Sequence, residues 1–254
     1  MTPEPPAPPP PETSGRHEPA GINVDQPGWI LALHSSSDTL GVGLQRLGSD
    51  EAPTLAAFPL GRALANQLLD CVESVLPADQ WTHLARLAVA IGPGGFTGTR
   101  LTVTLARTLA QQLDLPLDGC GSFVLMARRR LRASPSPEQP FWLIQDLPRR
   151  GLVAGLYTAD PLQPGGALEL LPPRLYREPT ALDAAASDLS RLHPAFTDAP
   201  PQPAALRCPA QVHQPQDVAE LLRFSQEAAA AGRPAPWGQV LPLYPTSPVD
   251  RVGP

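Results

Sequence analysis

The nine residues Gly92-Pro93-Gly94-Gly95-Phe96-Thr97-Gly98-Thr99-Arg100 are the part of this 254-residue chain best equipped for chemistry. Four glycines, a proline and two threonines stand between an apolar run and a helical pattern. Backbone amides left free at a helix N-terminus converge with the helix dipole, and such a place suits an anion. Glycine also makes tight turns in α/β proteins, so the loop by itself leaves anion contact and a purely structural turn both open. A second hydroxyl-rich stretch, Ser35-Ser36-Ser37, has the same two readings, touching a phosphate or capping its own backbone. Ser35, Ser36, Gly94, Gly95, Thr97 and Gly98 are the candidate nucleotide or anion contacts.

Other chemistries are excluded by residue type and spacing. All 19 basic residues are arginine. Without lysine there is no Schiff base, no Ser-Lys dyad and no P-loop G-K-[ST]. The histidines are His17, His34, His83, His193 and His213, and no two are separated by four, the spacing that puts a pair of ligands on one helix face. Four of the five read as solvated loop residues. Cys71, Cys120 and Cys208 are odd in number and widely spaced, which argues against a disulfide framework or structural zinc and for a reducing, cytoplasmic compartment. No G-x-S-x-G elbow appears, so a hydrolytic serine triad has no support. The net charge of −5 disfavours a chain that holds nucleic acid alone. The one basic cluster, Arg128-Arg129-Arg130 with Arg132, reads as a solvated helix end, or as a nucleic-acid contact.

The elements that must position these residues follow from periodicity. Residues 1–28 carry nine prolines and few large apolar side chains, the composition of a disordered, partly polyproline II tail. Trp29–Leu33 reads as a buried strand and Leu40–Leu44 as a second strand after the serine turn. Leu64, Leu68, Val72 and Val75/Leu76 mark a helix over 61–76, stopped by Pro77. Leu84–Ile91 is a buried strand leading into the glycine loop. A helix is expected from about Thr99 to Leu113, with Leu101, Leu105, Leu109 and Leu113 as its stripe. Residues 115–120 return toward the sheet. A proline-rich connector over 128–140 divides an N-terminal lobe, 29–127, from a reduced C-terminal lobe, 141–254. The second lobe opens on a strand pair, Phe141–Asp146 and Gly151–Tyr157. Helices are expected at Thr180–Leu192 and Asp217–Ala231. No apolar run is long enough to span a membrane.

Two segments carry a specific resemblance. Ile30–Leu44 (ILALHSSSDTLGVGL) and Gly92–Phe123 together resemble the TsaB (YeaZ-type) family. Its G-P-G-S-F-T-G-x-R-x-G signature is matched by Gly92, Pro93, Gly94, Phe96, Thr97, Gly98 and Arg100. Its closing L-P-x-x-G-V-S motif is matched by Leu115, Pro116, Gly119, Gly121 and Ser122. Asp146 with Gly151, and Leu243-Tyr244, are weaker echoes. The resemblance is strong over 29–124 and thin from 140 onward. It departs where polar chemistry would be expected. His34 replaces the aspartate ending the first strand, where catalytic relatives help hold a metal–nucleotide, and Mg²⁺ prefers oxygen ligands. Ala63-Leu64-Ala65 replaces E-H-(S/T), Gly95 replaces the signature serine, and Thr102 replaces the glycine after the arginine.

The resemblance implies an α/β, actin-like ATPase (RNase H-like) fold with two lobes. It implies a non-catalytic scaffold or activating subunit for making threonylcarbamoyladenosine on ANN-decoding tRNAs, with no catalytic residue, metal or cofactor of its own. ATP or a metal would be held by the partner complex. The partners implied are a TsaD-type catalytic subunit, a second copy of the chain, a TsaE-type ATPase, and tRNA only through the complex. The helix at 64–76 is apolar beyond one stripe, since Ala65, Leu69 and Cys71 lie off the Leu64 line, and such excess calls for a second covered face. In the family the two helices form the homodimer and TsaD contacts, which makes Leu64, Leu68, Leu69, Val72, Leu101 and Leu105 the expected partner-binding residues. The alternative is a stand-alone actin-fold ATP-binding enzyme or a glycoprotease-like hydrolase.

Overall fold

The computed structural model describes residues 28–133, 140–160, 162, 165–192, 207–209 and 215–245. The expected proline-rich tail lies outside the described residues. The first sheet comprises β1 (Trp29–His34), β2 (Thr39–Arg46), β3 (Thr54–Pro59), β4 (Leu84–Ala90) and β5 (Leu117–Cys120), in the order β3-β2-β1-β4-β5. The first three strands are antiparallel, while β4 lies parallel to β1 and β5 parallel to β4. This is the strand order of the actin-like fold. The second sheet comprises β6 (Phe141–Leu147), β7 (Gly151–Ala159), β8 (Ala167–Tyr176) and β9 (Arg207–Pro209), ordered β8-β7-β6-β9.

Strand alternation divides the first core between two faces. Leu31 and Leu33 of β1 face α1 (Leu64–Val75) and α2 (Phe96–Leu113), meeting Leu64, Leu68, Val72, Val103 and Leu109. Ile30 and Ala32 face the other way, toward Val218, Leu221 and Leu222 of α5 (Pro215–Ala230). Each large side chain so buried contributes about 1.5–3 kcal/mol. The close approach of α5 needs Gly43 on β2, where a Cβ would stand 2.5 Å from the Val218 side chain. The second sheet is covered likewise. Phe141, Leu143 and Tyr157 pack on α3 (Ser122–Ala133), and Trp142 and Leu156 pack with Leu182 and Ala186 of α4 (Thr180–Leu192).

Three expectations change. First, α2 begins at Phe96 rather than Thr99, because Gly95 caps it and the Thr99 amide already bonds the Gly95 carbonyl. Its core face is Thr99, Thr102, Val103, Ala106, Leu109 and Ala110, while Leu101 and Leu105 are half-buried flanks. Small residues on the inner face let the helix lie close to the sheet, and the longer leucines fill its margins. Second, α3 runs unbroken through Arg128 to Ala133, so the helix continues where the connector was expected to start. Third, residues 215–245 pack on the first sheet instead of belonging to the second lobe. The α5 helix lies on β1, β2 and β4, the Leu117 amide bonds the Ala235 carbonyl, and the Leu243 amide bonds the Ile91 carbonyl. Strands β3 and β8 have no counterpart in the periodicity. Both are edge strands with little burial, so their sequences carry no clean apolar alternation.

Candidate functional site

Parallel pairing of β1 with β4 brings the ends of both strands to the same edge of the sheet, with Leu33 opposite Val89. The serine turn and the glycine loop are therefore neighbours, and they are packed backbone to backbone. The Gly95 amide donates to the Ser36 carbonyl at 2.8 Å. A Cβ on Gly94 would run into the Ser36 backbone, and one on Gly98 would stand 2.7 Å from the Ser35 carbonyl oxygen. At Gly95 the nearest such atom is 3.8 Å away, so that position alone of the three has room for a side chain.

The hydroxyls of the turn are committed within the fold. Ser35 Oγ pairs with Thr102 Oγ1, which itself donates to the Gly98 carbonyl at 2.7 Å. Ser36 Oγ pairs with Ser122 Oγ at the start of α3, and the Ser122 amide donates to the Gly92 carbonyl. Ser35 and Ser36 are buried, as is His34, whose Nδ1 accepts the Ser36 amide at 3.4 Å. His34 is thus a core residue tying down its own turn. His83 is half-buried, and the remaining histidines lie outside the described residues.

The candidate anion contacts accordingly divide. Ser35, Ser36 and Gly94 are spent on closing the loop against the turn. Gly95, Thr97 and Gly98 instead line an open cleft of about 590 Å³ at the N-terminus of α2, with Ser37, Asp38 and Arg62 around it. The first turn of α2 contains no acidic residue and its cap contributes no side-chain hydrogen bond, which leaves the helix N-terminus electropositive. Arg62, in the single 3-10 turn before α1, is the cleft's cation. The sequence reading missed both Arg62 and Asp38, because neither stands near the glycine loop in the chain. Among the described residues no three His, Cys, Asp or Glu side chains gather as a metal site would need. No described helix is long and apolar enough to cross a membrane.

The partner-binding candidates divide too. Leu64, Leu68 and Val72 are in the core, at most 7% exposed, and so are not a docking surface. Their i, i+4 repeat keeps them on the sheet-facing side. Leu101 and Leu105 are half-buried against the same core. Leu69, one residue around the helix from Leu68, is 45% exposed. Phe96, at the mouth of the cleft, is exposed as well and stacks on Tyr244, with ring centroids 4.8 Å apart.

Arg128 and Arg129 of the arginine cluster are bound within the fold rather than solvated, whereas Arg132 is part-exposed. Arg128 is 3% exposed, donates to both oxygens of Glu227 at 2.7 and 2.8 Å, and lies 3.5 Å from Glu220. Arg129 pairs with Asp217 and Arg132 with Glu220. The acids come from α5, nearly a hundred residues downstream, so nothing in the local sequence announced them.

A model of the family described as "TsaD: tRNA N6-adenosine threonylcarbamoyltransferase" matches residues 53–157. The Bacillus subtilis (strain 168) tRNA threonylcarbamoyladenosine biosynthesis protein TsaB is 36% identical over 107 residues, covering 39% of this chain and 43% of that protein. The chain thus matches less than half the length of that relative. Two solved Pseudomonas aeruginosa proteins share the fold. A protein described as similar to peptidase YeaZ aligns with a TM-score of 0.63 at 22% identity, over 86% of this chain and all of that one. YeaZ itself aligns with a TM-score of 0.62 at 19% identity, over 85% of this chain and 99% of that one. The chain is thus similar to the TsaB and TsaD proteins over part of its length, and it shares its fold with the YeaZ proteins.

Proposed function

We propose that the chain is a non-catalytic scaffold subunit in the synthesis of threonylcarbamoyladenosine on ANN-decoding tRNAs, acting by docking onto a TsaD-type catalytic subunit. The observation that carries this reading is the commitment of the turn after β1. The resemblance implies that in catalytic relatives the residue ending the first strand helps hold a metal–nucleotide. Here His34, Ser35 and Ser36 are buried and bonded to the chain's own backbone, Thr102 and Ser122. The name of the B. subtilis relative and the family-model match support the pathway, and exposed Leu69 on α1 supports that helix as the docking face.

In this reading the partner transfers the threonylcarbamoyl group from its AMP conjugate to the adenosine amine. The chain holds the partner in its active arrangement and contacts tRNA only within the complex. A second copy of the chain occupies the same α1 face in the partner's absence, and a TsaE-type ATPase joins the assembled pair. The chain needs no cofactor of its own.

The test is co-expression of the full chain with a TsaD-type subunit, followed by co-purification and a threonylcarbamoyl transfer assay with and without the chain. A stable complex whose transfer depends on the chain supports the reading. A chain that fails to co-purify and leaves transfer unchanged overturns it.

A further inference from the structure

The two sheets are joined where α3, packed on the second, meets α5, packed on the first. The α3 helix turns Phe123, Met126, Ala127 and Leu131 toward β6 and β7, and the α5 helix turns Val218, Leu221 and Leu222 toward β1 and β4. Between them Leu125 of α3 packs with Val218, Leu221 and Leu222 of α5, and beside this apolar contact lies a row of charge. Glu220 of α5 is 2% exposed and receives three arginines. Arg132 lies on it at 2.7 and 3.3 Å, Arg223 at 2.5 Å and Arg128 at 3.5 Å. Glu227, two turns along, takes both bonds from Arg128 Nη2, and Asp217, fully buried, takes Arg129 at 2.9 Å. Arg132 reaches further. Its guanidinium lies on the backbone of Gly165, between β7 and β8, where a Cβ would stand 3.0 Å from Nη1. Arg130, on the same helix, sits 5.1 Å over the Phe141 ring of β6.

We propose that this α3–α5 seam is an ionic clasp that fixes the angle between the two sheets, so that the two lobes move as one body. An apolar seam can slide by a fraction of a turn at little cost, because one methyl contact replaces another. A buried charge has no such freedom. Any shift that carries buried Glu220 away from Arg128 and Arg132, or buried Arg128 away from its acids, strands a charge away from both water and its partners. The two-nitrogen fork of Arg132 on Glu220 adds direction to that constraint. Arg132 is bonded to Glu220 of α5 and stands beside Gly165 in the turn of the second sheet, so a rotation of one lobe against the other has to displace it. This inference is independent of the proposed docking partner.

The clasp is tested by spin-label distance measurement on the full chain. Labels go on Gln67→Cys in α1 and Arg174→Cys in β8, both exposed and one in each lobe. Cys71 and Cys208 are replaced by serine. Buried Cys120 stays, because burial pushes its thiol up to about 12 and out of reach of the label. The unmodified clasp should give one narrow distance distribution. Arg128→Met/Glu220→Met, which removes the central pair while leaving Glu227 part-exposed to water, should remain folded and widen the distribution about twofold. If that variant does not fold, Arg132→Met, at a part-exposed position, decides instead. A broad distribution with the clasp intact, or an unchanged narrow one in a folded variant, overturns the proposal.

Discussion

Gly94 lies against Ser36 so closely that a Cβ on it would stand 2.6 Å from the Ser36 Cα. The contact is backbone on both sides, so no rotamer change can relieve it. It is the point at which the glycine loop and the serine turn become one unit, and it explains why a loop shaped for an anion is closed on one side.

Gly94→Ala should therefore lower stability by about 1–3 kcal/mol, the ordinary cost of overpacking a site that cannot yield. Gly95→Ser is the control, expected to stay within about 0.5 kcal/mol because space is open there. Urea unfolding midpoints of the two variants give the comparison, and equal effects would show that the loop can move away from the turn.

On the docking proposal, Leu69→Glu should leave the isolated chain folded, with a stability change of about 0.5 kcal/mol or less. It should abolish co-purification with a TsaD-type subunit, since an unpaired carboxylate in a dry interface costs about 3–5 kcal/mol. Leu68→Glu, one residue away but in the core, should instead unfold the chain. Thermal unfolding and pull-down of each variant separate the cases, and normal pull-down by Leu69→Glu would move the interface off α1.

Arg86 of β4 and Asp118 of β5 form a buried bidentate pair at 2.6 and 2.8 Å, and Ser225 of α5 donates to the same carboxylate at 2.5 Å. Arg86→Met strands that carboxylate and should cost about 3–5 kcal/mol. Arg86→Met/Asp118→Leu should recover most of the loss, because an apolar pair carries no desolvation debt. Denaturant unfolding of the single and double variants measures this, and equal destabilisation in both would assign the cost to packing alone.

Burial pushes the Cys120 thiol from its ordinary 9.0 up to about 12, while half-buried Cys71 is raised by burial and by neighbouring Asp70. Above about pH 9 the unfolded chain loses a proton that folded Cys120 retains, so unfolding gains and stability falls as pH rises toward 12. Cys120→Ala should remove that part of the alkaline loss. Unfolding midpoints at about pH 8 and pH 10.5 for both chains provide the check, and parallel losses would show that Cys120 ionises freely in the fold.

The local signals in this sequence are those of elements that make their own case. Leu64, Leu68 and Val72 repeat at four residues and form one buried stripe of α1. The apolar run at Trp29–Leu33 and the run at Leu84–Ile91, interrupted only by Arg86, became the paired central strands, and the glycines at the start of α2 marked the loop beside them. Each is decided within a few residues, by periodicity or by backbone freedom, and each was legible from the chain alone. The rest depended on groups far apart in the chain. Ser35 and Ser36 offer the same hydroxyls to a phosphate or to Thr102 and Ser122, and only the parallel pairing of β1 with β4 chose between them. Arg128 and Arg129 look like a solvated helix end until Glu227 and Asp217 arrive from α5. A charged side chain's fate rests on whether a partner reaches it as water leaves. Tertiary structure alone sets that distance.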